Sequence, residues 1–162
     1  MNPAALNPAA LIAAARAKAA RIACAESCTG GLLSAALTES PGSSDVFDRG
    51  FITYSNAAKM QMLGVRAETL ARYGAVSEPV AREMANGALQ RADATLAVAV
   101  TGIAGPGGSD HKPEGRVCFG LAVAGEPTRT LTVEFGPIGR NRVRAASVAE
   151  ALNQLENAVA LL

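Results

Sequence analysis

The chain has 162 residues, 49% of them hydrophobic and 18% charged, with a net charge of +1 and aromatics at only 4%. Such a balance suits a globular domain large enough to bury a core, and it supplies neither the basic field nor the stacking aromatics of a nucleic-acid binder. No apolar run approaches the ~20 residues of a bilayer span, and the start MNPAALNPAALIAAARAKAAR lacks a secretory pattern, so residues 1–162 read as one cytoplasmic domain without nucleic-acid or membrane partners.

Residues 9–20, AALIAAARAKAA, are rich in the best helix former and predict a helix, with Pro3 and Pro8 keeping the segment before it irregular. RIACA predicts a short buried strand, and GGLLSAALTES a helix ended by Pro41 and Gly42. FDRGFITYS alternates as a strand. NAAKMQMLG suits a short helix stopped by Gly64, and AETLARYG a second one. Ser77 ahead of Glu78-Pro79 is a helix cap, followed by apolar positions at helical spacing. ATLAVAVTGI is the clearest buried strand and runs into AGPGGSDHKPEG, a Gly/Pro-rich loop too long for a tight turn. GRVCFGLAVAG and TRTLTVEFG predict an antiparallel hairpin across GEP, and GRNRVRAASVAEALNQLENAVALL a long terminal helix. This alternation predicts an α/β fold, a three-layer α/β/α sandwich with a mixed, partly parallel sheet.

Cys24, Cys28 and Cys118 form an odd set that suits reduced thiols, and the Cys24–Cys28 spacing is not a redox CxxC. His111 is the only histidine, so a His-rich zinc site and any Ser-His-Asp triad built on another histidine are excluded. In the polar GGSDHKPEG segment it reads as a solvated loop residue. Asp45 and Asp48 could contribute to a magnesium site, but no ligand spacing demands one.

The stretch ESCTGG, Glu26 to Gly31, places two hydroxyls, a thiol and two glycines where a strand turns into a helix. Backbone N–H groups from Cys28, Thr29, Gly30 and Gly31, with the positive end of the helix dipole, can hold a phosphate or an oxyanion beside a nucleophile. Ser27 is the candidate nucleophile. Cys28 is its rival, because a thiol at a helix N-terminus can have a lowered pKa. The plain alternative is a helix cap followed by glycines that allow close packing.

Two further loops follow strands, YSNAAK (Tyr54 to Lys59) and TGIAGPGGSDHKPEG (Thr101 to Gly115), and in open α/β sheets ligands bind at the carboxyl ends of strands. Together, AESCTGGLLSAALTESPGSSDVFDRGFITYSNAAKMQMLGV, GAVSEPVAREMANGAL and VAVTGIAGPGGSDHKPEGRV closely resemble the CinA C-terminal domain family, which includes stand-alone nicotinamide-nucleotide amidohydrolases. The resemblance covers most of residues 23–117. It implies hydrolysis of the carboxamide of nicotinamide mononucleotide to nicotinate mononucleotide and ammonia, with no metal or organic cofactor, in an α/β/α fold that forms a homo-oligomer. It also implies Ser27 as nucleophile, with Lys59 and Tyr54 as its activating partners.

That chemistry makes demands on the residues. A serine attacking an amide needs a base, an oxyanion site and a proton for the departing ammonia. Lys59 can be the base only when neutral, which requires burial, and a position in the first turn of the helix after Ser55 helps because the dipole disfavours a cation there. Tyr54 could relay a proton or orient the lysine. The carboxamide oxygen could rest on the N–H groups of Cys28 and Thr29 or on the TGIAG turn. Thr101, Gly102 and Gly105 suit ligand contact because glycine lets the backbone approach closely. Arg140, at the start of the last helix, faces the wrong end of the dipole for a cation, so either the substrate phosphate or a carboxylate such as Glu150 is expected to compensate.

Two features depart from the family pattern. The loop GIAGPGGS is one residue shorter than the usual GIAGPxGGS, with Arg116 where threonine is common, and Gly139 stands at the aspartate of the family's Gly-Asp-Arg. The alternative to the enzyme is a non-catalytic nucleotide-binding or regulatory module. A phosphate-binding kinase-like reading lacks the GxxxxGK[ST] string.

Overall fold

Five strands carry the fold: β1 Ile22–Glu26, β2 Phe47–Ile52, β3 Leu96–Gly102, β4 Arg116–Val123 and β5 Arg129–Glu134. They come from a computed structural model that describes residues 7–162. The order across the sheet is β2-β1-β3-β4-β5, with β1 parallel to both neighbours and the β3-β4-β5 half antiparallel. Helices α1 Pro8–Ala17, α2 Leu32–Thr38 and α6 Arg140–Ala160 bring buried side chains to one face, and α3 Asn56–Leu63, α4 Ala67–Tyr73 and α5 Glu78–Arg91 to the other. The result is the three-layer α/β/α arrangement with a mixed sheet.

Side-chain size divides the two layers. Because successive strand residues point to opposite faces, Ile22, Leu96, Val98, Phe119 and Leu121 meet the α1/α2/α6 layer, while Ala23, Ala25, Ala97, Ala99, Gly120 and Ala122 meet α5. The small face lets α5 lie close: a Cβ on Gly120 would sit 2.4 Å from the Ala81 carbonyl oxygen, and one on Gly87 2.0 Å from that of Leu63.

Two boundaries differ from the sequence reading. Pro8 is the first residue of α1, with Asn7 accepting from the Ala9 N–H at 3.1 Å; proline is tolerated there because the first helical N–H groups have no partner in the helix. Pro3 lies outside the described residues. Gly30 and Gly31 belong to the turn ahead of α2, at φ +56° and +109°, conformations that glycine adopts without steric penalty. Asp45 is paired with Arg16 and Asp48 with Arg21 and Arg49, so these carboxylates serve ion pairs, and no group of three or more His, Cys, Asp or Glu side chains converges among the described residues. No helix among them is long and apolar enough to cross a membrane.

Glu26 at the end of β1 pairs with Ile52 at the end of β2 and with Val100, two residues before the end of β3, so ESCTGG, Thr53-Tyr54-Ser55 and the loop after Gly102 emerge together at the carboxyl end of the parallel strands.

Candidate active site

The convergence of those three loops forms a cavity of about 200 Å³ lined by Ser27, Cys28, Tyr54, Asn56, Lys59 and Thr101, with Ala75, Val76, Gly102, Ala104 and Arg140 completing the wall. No carboxylate among the described residues lines it.

Ser27 is set by the end of β1, its N–H donating to the Val100 carbonyl at 3.0 Å, and its side chain is buried. Lys59 comes from the first turns of α3, whose cap Ser55 accepts from the Ala58 N–H at 3.0 Å. The lysine side chain is 1% exposed, and its Nζ lies 3.0 Å from Ser27 Oγ while donating to the Thr53 carbonyl at 2.9 Å. Burial pushes its pKa below the ordinary lysine value, against a smaller opposing pull from Cys28. An amine so held can share its lone pair with a neighbouring hydroxyl.

Cys28 does not show the lowered pKa that would make it a rival nucleophile. Burial pushes Cys28 up to about 11 despite the nearby Arg144 and Lys59, so the thiol beside Ser27 is protonated at neutral pH. Cys24, farther down β1, is pushed up to about 12 by burial and by the charge of Glu26.

The N-terminus of α2 is not open to an anion. The Glu26 carboxylate, fully buried, accepts from the N–H groups of Gly31, Leu33 and Ser34 at 3.2, 2.9 and 3.0 Å and from Ser34 Oγ at 2.6 Å. The chain supplies its own anion there; of the N–H groups expected for a ligand, that of Gly31 is held by Glu26 and that of Gly30 by the Ser27 carbonyl, which leaves those of Cys28 and Thr29. Only Cys28 of the four residues from Cys28 to Gly31 lines the cavity.

Tyr54 stands at the rim, 61% exposed, with its hydroxyl accepting from Arg140 Nη2 at 3.0 Å. It makes no hydrogen bond to Lys59 or Ser27. Arg140 also donates to the Gly105 carbonyl at 2.8 Å, joining the glycine loop to the rim. No carboxylate pairs with it among the described residues, and Glu150 instead accepts from Gln154. Thr101 Oγ1 donates to the Ala75 carbonyl at 2.9 Å, which makes it a support of the opposite wall. Gly102 is needed for packing: a Cβ there would lie 2.7 Å from Val117 Cγ2. Gly105, at φ +90°, is held back from the cavity wall, and a Cβ on it would strike the Glu114 side chain. Lys112 fastens the loop by donating to the Tyr73 and Val76 carbonyls.

Sequence reasoning assigned no role to Glu26 or Arg144. The signal for the first is an acid just ahead of a turn into a helix; for the second, it is the i, i+4 spacing with Arg140 on α6.

A buried serine–lysine pair at the carboxyl ends of parallel strands, roofed by a glycine loop and a rim arginine, defines the class of site. Residues 7–159 match the family model of the CinA C-terminal domain, and the chain belongs to that family. It is 54% identical over 133 residues to the nicotinamide-nucleotide amidohydrolase PncC of Escherichia coli (strain K12), covering 81% of this chain and 79% of that protein. It is 59% identical over 114 residues to the enzyme of the same name from Enterobacter agglomerans, covering 70% and 68%. A CinA-like protein of Chlorobium phaeobacteroides (strain BS1) is 54% identical over 134 residues, but the chain spans only 32% of that longer relative. The crystal structure of the competence/damage inducible protein CihA from Agrobacterium tumefaciens superposes with a TM-score of 0.92 at 46% identity, covering 98% of both chains.

Proposed function

We propose that this protein hydrolyses the carboxamide of nicotinamide mononucleotide to nicotinate mononucleotide and ammonia, with Ser27 as nucleophile. The observation that carries the reading is the 3.0 Å contact between Ser27 Oγ and a buried Lys59 whose pKa is depressed. The similarity to proteins named nicotinamide-nucleotide amidohydrolase supplies the substrate.

Neutral Lys59 gives one N–H to the Thr53 carbonyl and directs its lone pair at Ser27. Oγ attacks the carboxamide carbon, its proton passes to Lys59, and the carbonyl electron pair moves to oxygen. Collapse breaks the C–N bond. The leaving nitrogen takes a proton from Lys59 and departs as ammonia. Water then attacks the ester on Ser27 with Lys59 again as base, which releases the carboxylate and restores the serine. Tyr54, whose oxygen accepts from Arg140, keeps its own proton free to donate. The pyridine carboxamide enters the cavity and the 5′-phosphate stays at the rim beside Arg140; Cys28, Thr29, Gly30, Gly31, Thr101, Gly102 and Gly105 shape the walls and the turns behind them.

The open edge of β2, with Ile52 and Leu32 exposed beside it, supports the homo-oligomer that the family resemblance implies. Light scattering tests it. Release of ammonia and nicotinate mononucleotide by the purified protein tests the activity; tight binding of the nucleotide without turnover would favour the regulatory-module reading instead.

A further inference from the structure

Arg144 is half-buried on α6 four residues after Arg140, so the two guanidinium groups rise from one face of the helix. Its Nε donates to the Cys28 carbonyl at 3.1 Å and its Nη2 to the Thr29 carbonyl at 3.4 Å, both in the turn directly after Ser27. None of the ion pairs among the described residues includes Arg144. Its charge is committed to backbone carbonyls.

A guanidinium used in this way fixes peptide planes. In a trans peptide the N–H lies opposite the C=O, so turning the Cys28 carbonyl toward α6 turns the Thr29 N–H away from that helix. The peptide before it is fixed from within the turn, where the Gly30 N–H donates to the Ser27 carbonyl at 3.0 Å. The N–H groups of Cys28 and Thr29 donate to no backbone acceptor among the described residues. Two N–H groups without an acceptor among the described residues therefore follow the nucleophile, that of Cys28 on the cavity wall and that of the fully buried Thr29 next to it, while those from Gly31 onward are taken by Glu26 and the helix.

We propose that Arg144 is a positioning residue for the oxyanion site: through the Cys28 carbonyl it aims the Thr29 N–H, alongside that of Cys28, at the carboxamide oxygen as Ser27 attacks. This rests on the amidohydrolase reading above. Arg144 touches none of the reacting atoms. Its positive charge also polarises the amide whose carbonyl it holds and strengthens the N–H on the other side, where negative charge develops only in the transition state.

The test is steady-state turnover of nicotinamide mononucleotide by wild type, Arg144→Met and Arg144→Lys, together with binding of the aldehyde analogue of the substrate, which forms a hemiacetal with Ser27, and of the product. Arg144→Met should lower kcat about 10- to 100-fold with KM within about threefold of wild type. Affinity for the aldehyde should fall by the factor lost in kcat/KM while affinity for nicotinate mononucleotide stays. Arg144→Lys should recover part of the loss by restoring one donor to the Cys28 carbonyl. Should Arg144→Met fail to fold, Arg144→Gln, which keeps an N–H donor, carries the same comparison. An unchanged kcat overturns the proposal, as does a raised KM with kcat intact, which would make Arg144 a ligand of the phosphate. Equal losses for aldehyde and product also overturn it. If wild type itself releases no ammonia, the amidohydrolase reading fails and this inference goes with it; active wild type with fully active variants sinks this inference alone.

Discussion

Burial acts in opposite directions on the two groups beside Ser27, lowering the pKa of Lys59 and raising that of Cys28 to about 11. The amine is moved toward its basic form and the thiol away from its nucleophilic one. Ser27→Ala should therefore abolish ammonia release with little change in melting temperature, and Cys28→Ala should retain most of the activity; a dead but folded cysteine variant beside an active serine variant would reverse the assignment. For Lys59 the sign can be worked out in full. Its folded pKa lies below the unfolded value, so as pH falls from the ordinary lysine value of 10.5 toward the folded one, the unfolded chain gains a proton that the folded chain does not, and stability falls. Removing the lysine removes that pH-dependent penalty. Urea titrations should thus find Lys59→Met gaining on wild type as pH drops below 10.5, with the advantage levelling off below the folded pKa and vanishing above 10.5. Activity should rise with pH as Lys59 deprotonates, and Lys59→Arg should stay inactive because guanidinium holds its proton. An active arginine variant would mean the lysine acts through its charge alone.

At the scale of elements, several helix starts and stops were legible because they rest on local chemistry: Ser77 caps α5 and Gly64 ends α3, whereas α2 stops at Thr38, two residues short of the expected end before Pro41. What the local pattern did not reveal was which groups would satisfy the entry to α2. The turn with its two hydroxyls and two glycines suggests an anion site, but the acid that fills it belongs to β1 and reaches forward across five residues to Gly31. The division of the sheet into an alanine face and a large-aliphatic face is written in the strand sequences, yet its consequence, a helix nearly touching the sheet, depends on α5 bringing Ala81 and Ala85 to Gly120. Gly120→Ala should destabilise the fold by about 1–3 kcal/mol, because its methyl would press on the Ala81 carbonyl and neither backbone can retreat alone. Chemical denaturation checks this, and a variant as stable as wild type would mean that α5 shifts freely over the sheet.

At the scale of the whole molecule, a nearly neutral chain concentrates positive charge at one place. Net charge is +1, yet Arg140 stands on the cavity wall with Arg144 just behind, and no carboxylate among the described residues lines it. Two short motifs singled out Ser27, Tyr54 and Lys59 as candidates, but the contact that ties Arg140 to Tyr54 spans 86 positions and exists only because α6 returns across the open end of the sheet. Arg140 begins that helix, where a cation opposes the dipole at a cost of ~0.3–1 kcal/mol, and it is offset here by a carbonyl and a phenol, with no carboxylate. A dianionic phosphate completes such a site well, since a guanidinium can meet it with two hydrogen bonds. Arg140→Ala should raise KM for nicotinamide mononucleotide strongly while leaving the rate measured on nicotinamide riboside, which lacks the phosphate, almost unchanged. The same contrast should appear on adding salt to wild type, because screening weakens attraction for the phosphorylated substrate only. Equal losses on both substrates, or a large fall in melting temperature without ligand, would instead identify Arg140 as a strut between the glycine loop and Tyr54.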